Sequence, residues 1–152
     1  MNIIEITDDL EKQRAARLVL EDLTDWFGIA SSREEHILNS AGKPFFCAYQ
    51  QEEPIGFLYL KETSNATMEL AVMGVLREHH RKGIGRALFE CAKESARKKG
   101  FTFLQVKTVR MGMYEEYDAT NRFYLSLGFK EFEVFPMFWD ERNPCHVYIM
   151  AL

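Results

Sequence analysis

The sequence predicts an α/β fold with one mixed β-sheet flanked by about four helices, formed by residues 1–152 as a single domain. Strand-like and helix-like patterns follow one another in the order β-α-α-β-β-β-α-β-α-β-β. Glycines stand where several of the helices should end. No repeat, low-complexity tract or linker divides the chain, whose length is common for one domain. This order of elements favours helices packed on the faces of a single sheet.

The first half of the chain contains a strand, two helices and three further strands. The alternation of Asn2–Thr7 predicts the first strand, and Thr7 or Asp8 is suited to cap a helix that runs to about Phe27. Ser31 or Ser32 begins a second helix that ends near Gly42. Three strands then follow, the first two joined by the polar turn 51–54: Pro44–Gln50, Ile55–Glu62 and Thr67–Leu76.

The second half alternates helices and strands before a closing pair of strands. Gly83–Lys99 has apolar residues at helical spacing, and Gly100 marks its end. The unit from Thr67 to Val109 should therefore be a right-handed parallel crossover. The remaining predicted elements are a strand, a helix ended by Gly128, and two strands joined by the polar turn 140–144: Phe101–Val109, Ala119–Leu127, Phe129–Phe135 and Cys145–Ala151.

Composition and charge exclude several classes of protein. The formal net charge of -4 gives no support for nucleic-acid binding. Lysines and arginines are nevertheless concentrated between Arg77 and Lys99, and such a local patch suits a small polyanionic ligand. No apolar run is long enough to cross a membrane, and the N-terminus lacks the order of a signal peptide. The three separated cysteines form no metal or disulfide pattern, so we expect a cytoplasmic protein.

The segment from Val75 to Leu88 is the most informative one, because a strand leads through a basic turn with two glycines directly into a helix. Free N–H groups at the start of a helix bind phosphate, and glycine lets the main chain approach the anion closely. The turn lacks the GxxxxGK[ST] order of a P-loop and the third glycine of a dinucleotide fingerprint. His79 and His80 have no further ligands at suitable spacing, so no metal site is predicted.

Two segments carry a resemblance to a known family. His80-Arg81-Lys82-Gly83-Ile84-Gly85 resembles the [QR]xxGx[GA] loop of the GNAT superfamily of acetyl-CoA-dependent N-acetyltransferases, with His80 in place of Gln or Arg. The run 123–129, Phe-Tyr-Leu-Ser-Leu-Gly-Phe, is similar to that family's FYxxLGF segment. The two motifs stand in the family's order and at its usual separation, and the element order matches over nearly the whole chain.

The resemblance implies acetyl-CoA as co-substrate, no metal, and a cleft between the strands that end at Leu76 and begin at Phe101. Main-chain groups near Met73 and Val75 would pair with the pantetheine arm. Dimerisation is common among relatives, so a homodimer is possible. The main-chain N–H groups that would hold the diphosphate belong to Arg81, Lys82, Gly83, Ile84, Gly85 and Arg86.

Two residues are candidates for proton transfer during direct attack of an amine on the thioester. The resemblance points Tyr124 at the coenzyme sulfur as the acid, although a packed aromatic residue would fit the same helix. Glu69, among apolar residues of its strand, is the candidate base, against the alternatives of an exposed glutamate or a water chain.

The acceptor is predicted to be a small-molecule or peptide amine. The acidic and aromatic tract 111–118 suggests a cation site with Glu115 and Tyr117, although a solvated loop in which Asp118 caps the next helix fits equally. Trp26 and Phe27 are interpreted either as a pocket wall or as core. Two other functions stay open: an inactive coenzyme A-binding sensor or interaction module, and a nucleotide-phosphate protein that uses the same glycine turn.

Overall fold

The computed structural model describes all residues from Met1 to Leu152 as one seven-stranded mixed sheet with four α-helices. The α/β fold and the predicted order of elements are therefore confirmed. The strands are β1 Asn2–Ile6, β2 Phe45–Gln50, β3 Glu53–Glu62, β4 Thr67–Val75, β5 Phe103–Val109, β6 Lys130–Asp140 and β7 Asn143–Ala151. The helices are α1 Asp9–Asp22, α2 Ala30–Asn39, α3 Ile84–Lys98 and α4 Glu115–Ser126. No helix is long and apolar enough to span a bilayer.

The strands lie side by side in the order β1-β2-β3-β4-β5-β7-β6, and only β4 and β5 run parallel. The parallel pair follows from the crossover through α3, as the sequence predicted. Buried residues of α1 and α2 form one core on one face of the sheet, with Val19 and Phe57 at its centre. Buried residues of α3 and α4 form a second core on the other face, around Leu88 and Tyr148.

Two of the predicted helix boundaries are wrong. Helix α1 ends at Asp22 and not near Phe27, because Leu23 leaves helical geometry and the next residues turn back on its carbonyl. Helix α4 begins at Glu115, four residues before the predicted Ala119. Its acidic first turn lies at the positive end of the helix dipole, which favours helix in a stretch where the sequence pattern predicts either a cation site or a solvated loop.

Both hairpins are longer than predicted. The turn between β2 and β3 consists of Gln51 and Glu52, which both have positive φ, as a tight two-residue hairpin requires. Strand β6 extends five residues beyond the predicted end at Phe135, to Asp140. The strands β6 and β7 therefore form a long ribbon, and Phe138 near its end lies over Lys107 of β5.

The parallel strands β4 and β5 separate after a short contact, which creates a fork in the sheet. They are paired only from Thr67–Phe103 to Glu69–Gln105. Beyond that point β4 continues to Val75 and β5 continues to Val109 without pairing. On the β3 side, Tyr59 pairs with Val72 and Leu60 with Leu70, so that one residue of β4 bulges. The bulge lies immediately beyond the apex of the fork.

Candidate active site at the fork of the sheet

The glycine turn closes the far end of the fork and presents a row of unpaired donors. None of the six successive main-chain N–H groups from Arg81 to Arg86 donates a hydrogen bond within the chain; the first to do so is that of Ala87, to the carbonyl of Gly83. Arg81 and Gly83 have φ of 63° and 79°, which turns successive N–H groups toward one corner. A turn of this kind at a helix N-terminus is suited to bind a diphosphate.

The two glycines of the turn serve different purposes. A side chain at Gly83 would meet no atom within 4 Å, so this glycine is needed for its left-handed backbone and leaves the corner open. A Cβ on Gly85 would lie 3.1 Å from Cζ of Phe123 and 3.5 Å from Cε of Met73. Gly85 therefore allows the start of α3 to pack closely against α4 and β4.

The basic side chains of the turn are not equivalent. Arg81 and Lys82 are exposed, and their charges are free to act on an anion at the corner. The guanidinium of Arg86 instead donates to the carbonyl oxygen of Ser126 at 3.1 Å, which ties α3 to the end of α4.

The main chain of β4 beyond the apex of the fork has donors and acceptors that face the gap. The N–H of Leu76 bonds to the carbonyl of Ile55 on β3, and alternate residues of a strand point their main-chain groups in opposite directions. Those of Met73 and Val75 therefore point away from β3. The Val75 carbonyl already accepts a hydrogen bond from Nε2 of His80 at 2.7 Å, whereas Met73 remains available for pairing.

Glu69 is the last residue of β4 to pair with β5 and stands at the apex of the fork. Its neighbours Met68 and Leu70 point into the core below α3 and α4, so Glu69 points to the opposite face. Only 8% of the residue is exposed, and its carboxylate accepts a hydrogen bond from Nζ of Lys107 at 2.5 Å. The ammonium of Lys107 compensates the burial of this carboxylate.

Tyr124 lies on the other side of the sheet, in the core formed by α3, α4 and β7. It is 7% exposed, and its ring packs edge-on against Phe129 with centroids 6.0 Å apart. Burial, and secondly the neighbouring Tyr117, raise the pKa of Tyr124 well above its usual range, so the phenol stays protonated at neutral pH. Its hydroxyl has no hydrogen-bond partner in the chain, and its oxygen is not sealed from solvent.

The predicted acceptor residues link the helices around the open end of the fork. Nε1 of Trp26 donates to the Glu116 carbonyl at 3.1 Å, and the Tyr117 hydroxyl donates to the Trp26 carbonyl at 2.8 Å. The indole also lies edge-on to His80 at 5.8 Å. Phe27 packs against His36 of α2, at 5.9 Å between ring centroids, and Glu115 is exposed at the start of α4.

Three residues near the fork were not predicted from the sequence: Asn121, Lys107 and Phe138. Asn121 is fully buried, donates to the Val109 carbonyl at 2.8 Å and accepts from the Tyr148 hydroxyl at 2.6 Å, which fixes α4 to β5 and β7. Lys107 and Phe138 meet near Glu69, with Nζ 5.4 Å from the ring centroid. For Lys107, the only feature of the sequence that could have indicated a functional role is a lysine at an alternating position of the mostly apolar strand β5. Asp118 is not a helix cap; it accepts from the N–H of Gly112.

Comparison with known proteins agrees with this geometry. Residues 41–131, more than half of the chain, match the profile of the acetyltransferase (GNAT) domain. The uncharacterized N-acetyltransferase YsnE of Bacillus subtilis (strain 168) is 26% identical over 141 residues, which cover 90% of this chain and 91% of YsnE.

Two solved structures share the fold. A GNAT-family protein from Desulfovibrio desulfuricans has a TM-score of 0.82 at 21% identity, over 99% of this chain and 98% of that one. The PaiA N-acetyltransferase of Thermoplasma acidophilum, in complex with coenzyme A, has a TM-score of 0.74 at 20% identity over 100% of both chains. Given the matching domain profile together with the shared fold, this chain belongs to the GNAT family of acetyltransferases.

Proposed function

We propose that the chain is an N-acetyltransferase that moves the acetyl group of acetyl-CoA to a primary amine by direct attack within a ternary complex. The observation that carries the proposal is the row of six unpaired N–H groups from Arg81 to Arg86 at the start of α3. It lies at the open end of a fork that has Glu69 at its apex. The PaiA structure, which has the same fold, contains coenzyme A.

The residues of the fork fit the parts of the coenzyme. The N–H groups of residues 81–86 would hold the diphosphate, with Arg81 and Lys82 adding charge. The gap-facing main chain of Met73, and the N–H of Val75, would pair with the amides of the pantetheine arm in the manner of an added strand. When bound, acetyl-CoA supplies an acetyl group activated as a thioester.

Glu69 and Tyr124 divide the proton transfers between the two faces of the sheet. Glu69 accepts a proton from the amine, directly or through water, on the face away from α3 and α4. The amine nitrogen forms a bond to the acetyl carbon, and the bond from that carbon to sulfur breaks. Tyr124, on the other face, donates its proton to the departing thiolate and becomes a tyrosinate. The cycle closes when Glu69 releases the proton of the amine to solvent and Tyr124 takes one up from it.

Release of free thiol from acetyl-CoA, followed with a panel of primary amines, tests the proposal. Amine-dependent release is expected, together with tight binding of coenzyme A in calorimetry. Tight binding without turnover on any amine would instead favour an inactive coenzyme A-binding module. Equal thermal stabilisation by ATP and by acetyl-CoA would favour a nucleotide-phosphate protein, because a ligand stabilises the native state to which it binds.

A further inference from the structure

The face of the sheet that carries Glu69 has an unusual charge arrangement beside the fork; we call this surface the open face. Lys61 of β3 is paired directly opposite Glu69, and Lys107 of β5 bonds to it from the other side. Residues that pair directly across strands share a face. One carboxylate is therefore flanked by two lysines, and the centre of the open face has a net positive charge.

Lys107 keeps unused hydrogen-bonding capacity. An ammonium has three N–H donors, and the only hydrogen bond of Lys107 goes to Glu69. Its side chain is 22% exposed, so a ligand on the open face can reach the ammonium. A second anionic group could bind there without displacing Glu69.

An arch of β6 places apolar side chains next to this ion pair. Phe135 pairs with Cys145 and Asp140 with Asn143, so β6 has extra residues that β7 does not match. This bulge carries Phe138 over Lys107 although β7 lies between the strands β6 and β5. Met137, Phe138 and Trp139 are 69%, 56% and 46% exposed. Of these three, Phe138 is the side chain that contacts the ion pair, and its ring gives one side of the pair an apolar border.

A carboxylate at the margin does not reverse the charge at the centre. Glu133 of β6 pairs with Val147 of β7, and Val147 pairs with Lys107 of β5. Two strand spacings therefore place the main chain of Glu133 about 10 Å from that of Lys107. A polyamine would therefore bring additional positive charge to a surface that already has two lysines.

We propose, resting on the proposed function, that the acceptor is an α-amino acid with an apolar, preferably aromatic, side chain. The amine and the carboxylate of such a molecule are separated by one carbon atom, and the Lys107–Glu69 pair offers one complementary group to each. The amine approaches Glu69, the carboxylate binds the free donors of Lys107, and the side chain packs on Phe138. Lys107 is thus the specificity-determining residue. This assignment replaces the cationic acceptor that the acidic tract 111–118 suggested.

Thiol release with four matched amines tests the acceptor class in the wild-type protein: L-phenylalanine, L-phenylalaninamide, phenethylamine and spermidine. We expect kcat/KM for L-phenylalanine to exceed the values for the other three by about 10- to 100-fold, the usual effect of losing a charge-assisted hydrogen bond. Equal or faster turnover of the amines without a carboxylate would overturn the acceptor class and leave the proposed function standing. Absence of turnover with every primary amine tried would overturn both the acceptor class and the proposed function.

Variants at Lys107 test the assigned residue through a ratio that a general loss of activity does not move. In Lys107→Met the preference for L-phenylalanine over phenethylamine should fall to about onefold, whereas Lys107→Arg, which retains the cation, should keep most of it. Lys98→Met, at the exposed end of α3, is the matched control and should keep the wild-type ratio. A Lys107→Met variant with the wild-type preference would refute the role of Lys107.

Discussion

The corner formed by residues 81–86 can be tested by placing a negative charge in it without disturbing the fold. Gly83→Asp introduces a residue at φ 79°, which costs about 1 kcal/mol of stability. No atom lies within 4 Å of the new Cβ, so there is no clash. An aspartate at a helix N-terminus regains about 0.3–1 kcal/mol from the helix dipole. The free energy of unfolding should therefore change by less than about 1 kcal/mol, a shift in Tm of at most about 4 °C.

The coenzyme should respond much more strongly than the fold. A carboxylate about 4 Å from a phosphate costs about 1 kcal/mol in water and about 4 kcal/mol near a protein surface. The Kd of coenzyme A in calorimetry should thus rise by about fivefold to several hundredfold. Gly100→Asp is the matched control: it also has positive φ, 87°, and open space, but lies at the other end of α3. The control should lose stability and keep the wild-type Kd, and unchanged affinity in Gly83→Asp would refute the assignment of the diphosphate corner.

Three further predictions concern the acid, the packing of the turn and the histidines. Tyr124→Phe should lower kcat by at least about 100-fold in steady-state thiol release, with coenzyme affinity and Tm nearly unchanged, because its hydroxyl has no partner in the chain; full turnover would mean that another group is the acid. Gly85→Ala should lower the free energy of unfolding by about 1–3 kcal/mol in chemical denaturation, since its Cβ would lie 3.1 Å from Phe123; an unchanged midpoint would show that the ring moves away freely. Burial lowers the pKa of His36 and His146 below the ordinary value of 6.5, so the unfolded chain binds protons at higher pH than the folded one. The free energy of unfolding should therefore fall as pH drops through 6.5, Tm at pH 5.5 should lie below Tm at pH 7.5, and His36→Gln should reduce the difference; a rise in Tm on acidification would contradict this reasoning.

The order of the elements was predictable because the signals are local. Gly83 and Gly100 mark the start and end of α3, and both have the positive φ that made glycine informative there. The predicted start of α4 at Ala119 is four residues late because the acidic tract 111–118 fits a cation site or a solvated loop equally well, although acidic residues also favour the first turn of a helix. Local sequence patterns leave such a choice open, and the contacts of Trp26 with Glu116 and Tyr117 are consistent with the helix.

The fork and the open face were less accessible to sequence reasoning because they depend on how distant strands meet. The pattern of Thr67–Val75 predicts a strand but does not say that pairing with β5 stops at Glu69. Likewise, the sequence shows Lys107 only as an alternating polar residue of β5; its ion pair with Glu69 of β4 depends on how the two strands are placed. Phe138 reaches Lys107 only because β6 bulges and bends over the sheet, which is a tertiary effect.

The position of the fork separates the groups proposed to recognise the acceptor from those proposed to recognise the coenzyme. A continuous sheet would separate Glu69 from Tyr124, since their side chains lie on opposite faces. Because β4 and β5 part directly after Glu69, a thioester held in the gap could be reached by both residues. The proposed coenzyme contacts come from the main chain, with added charge from the side chains of Arg81 and Lys82. The proposed acceptor contacts are the side chains of Lys107 and Phe138, which lie elsewhere, on the open face. Substitutions on the open face should therefore change the preferred amine while leaving the affinity for coenzyme A intact, and a variant of Phe138 that weakened both equally would contradict this division.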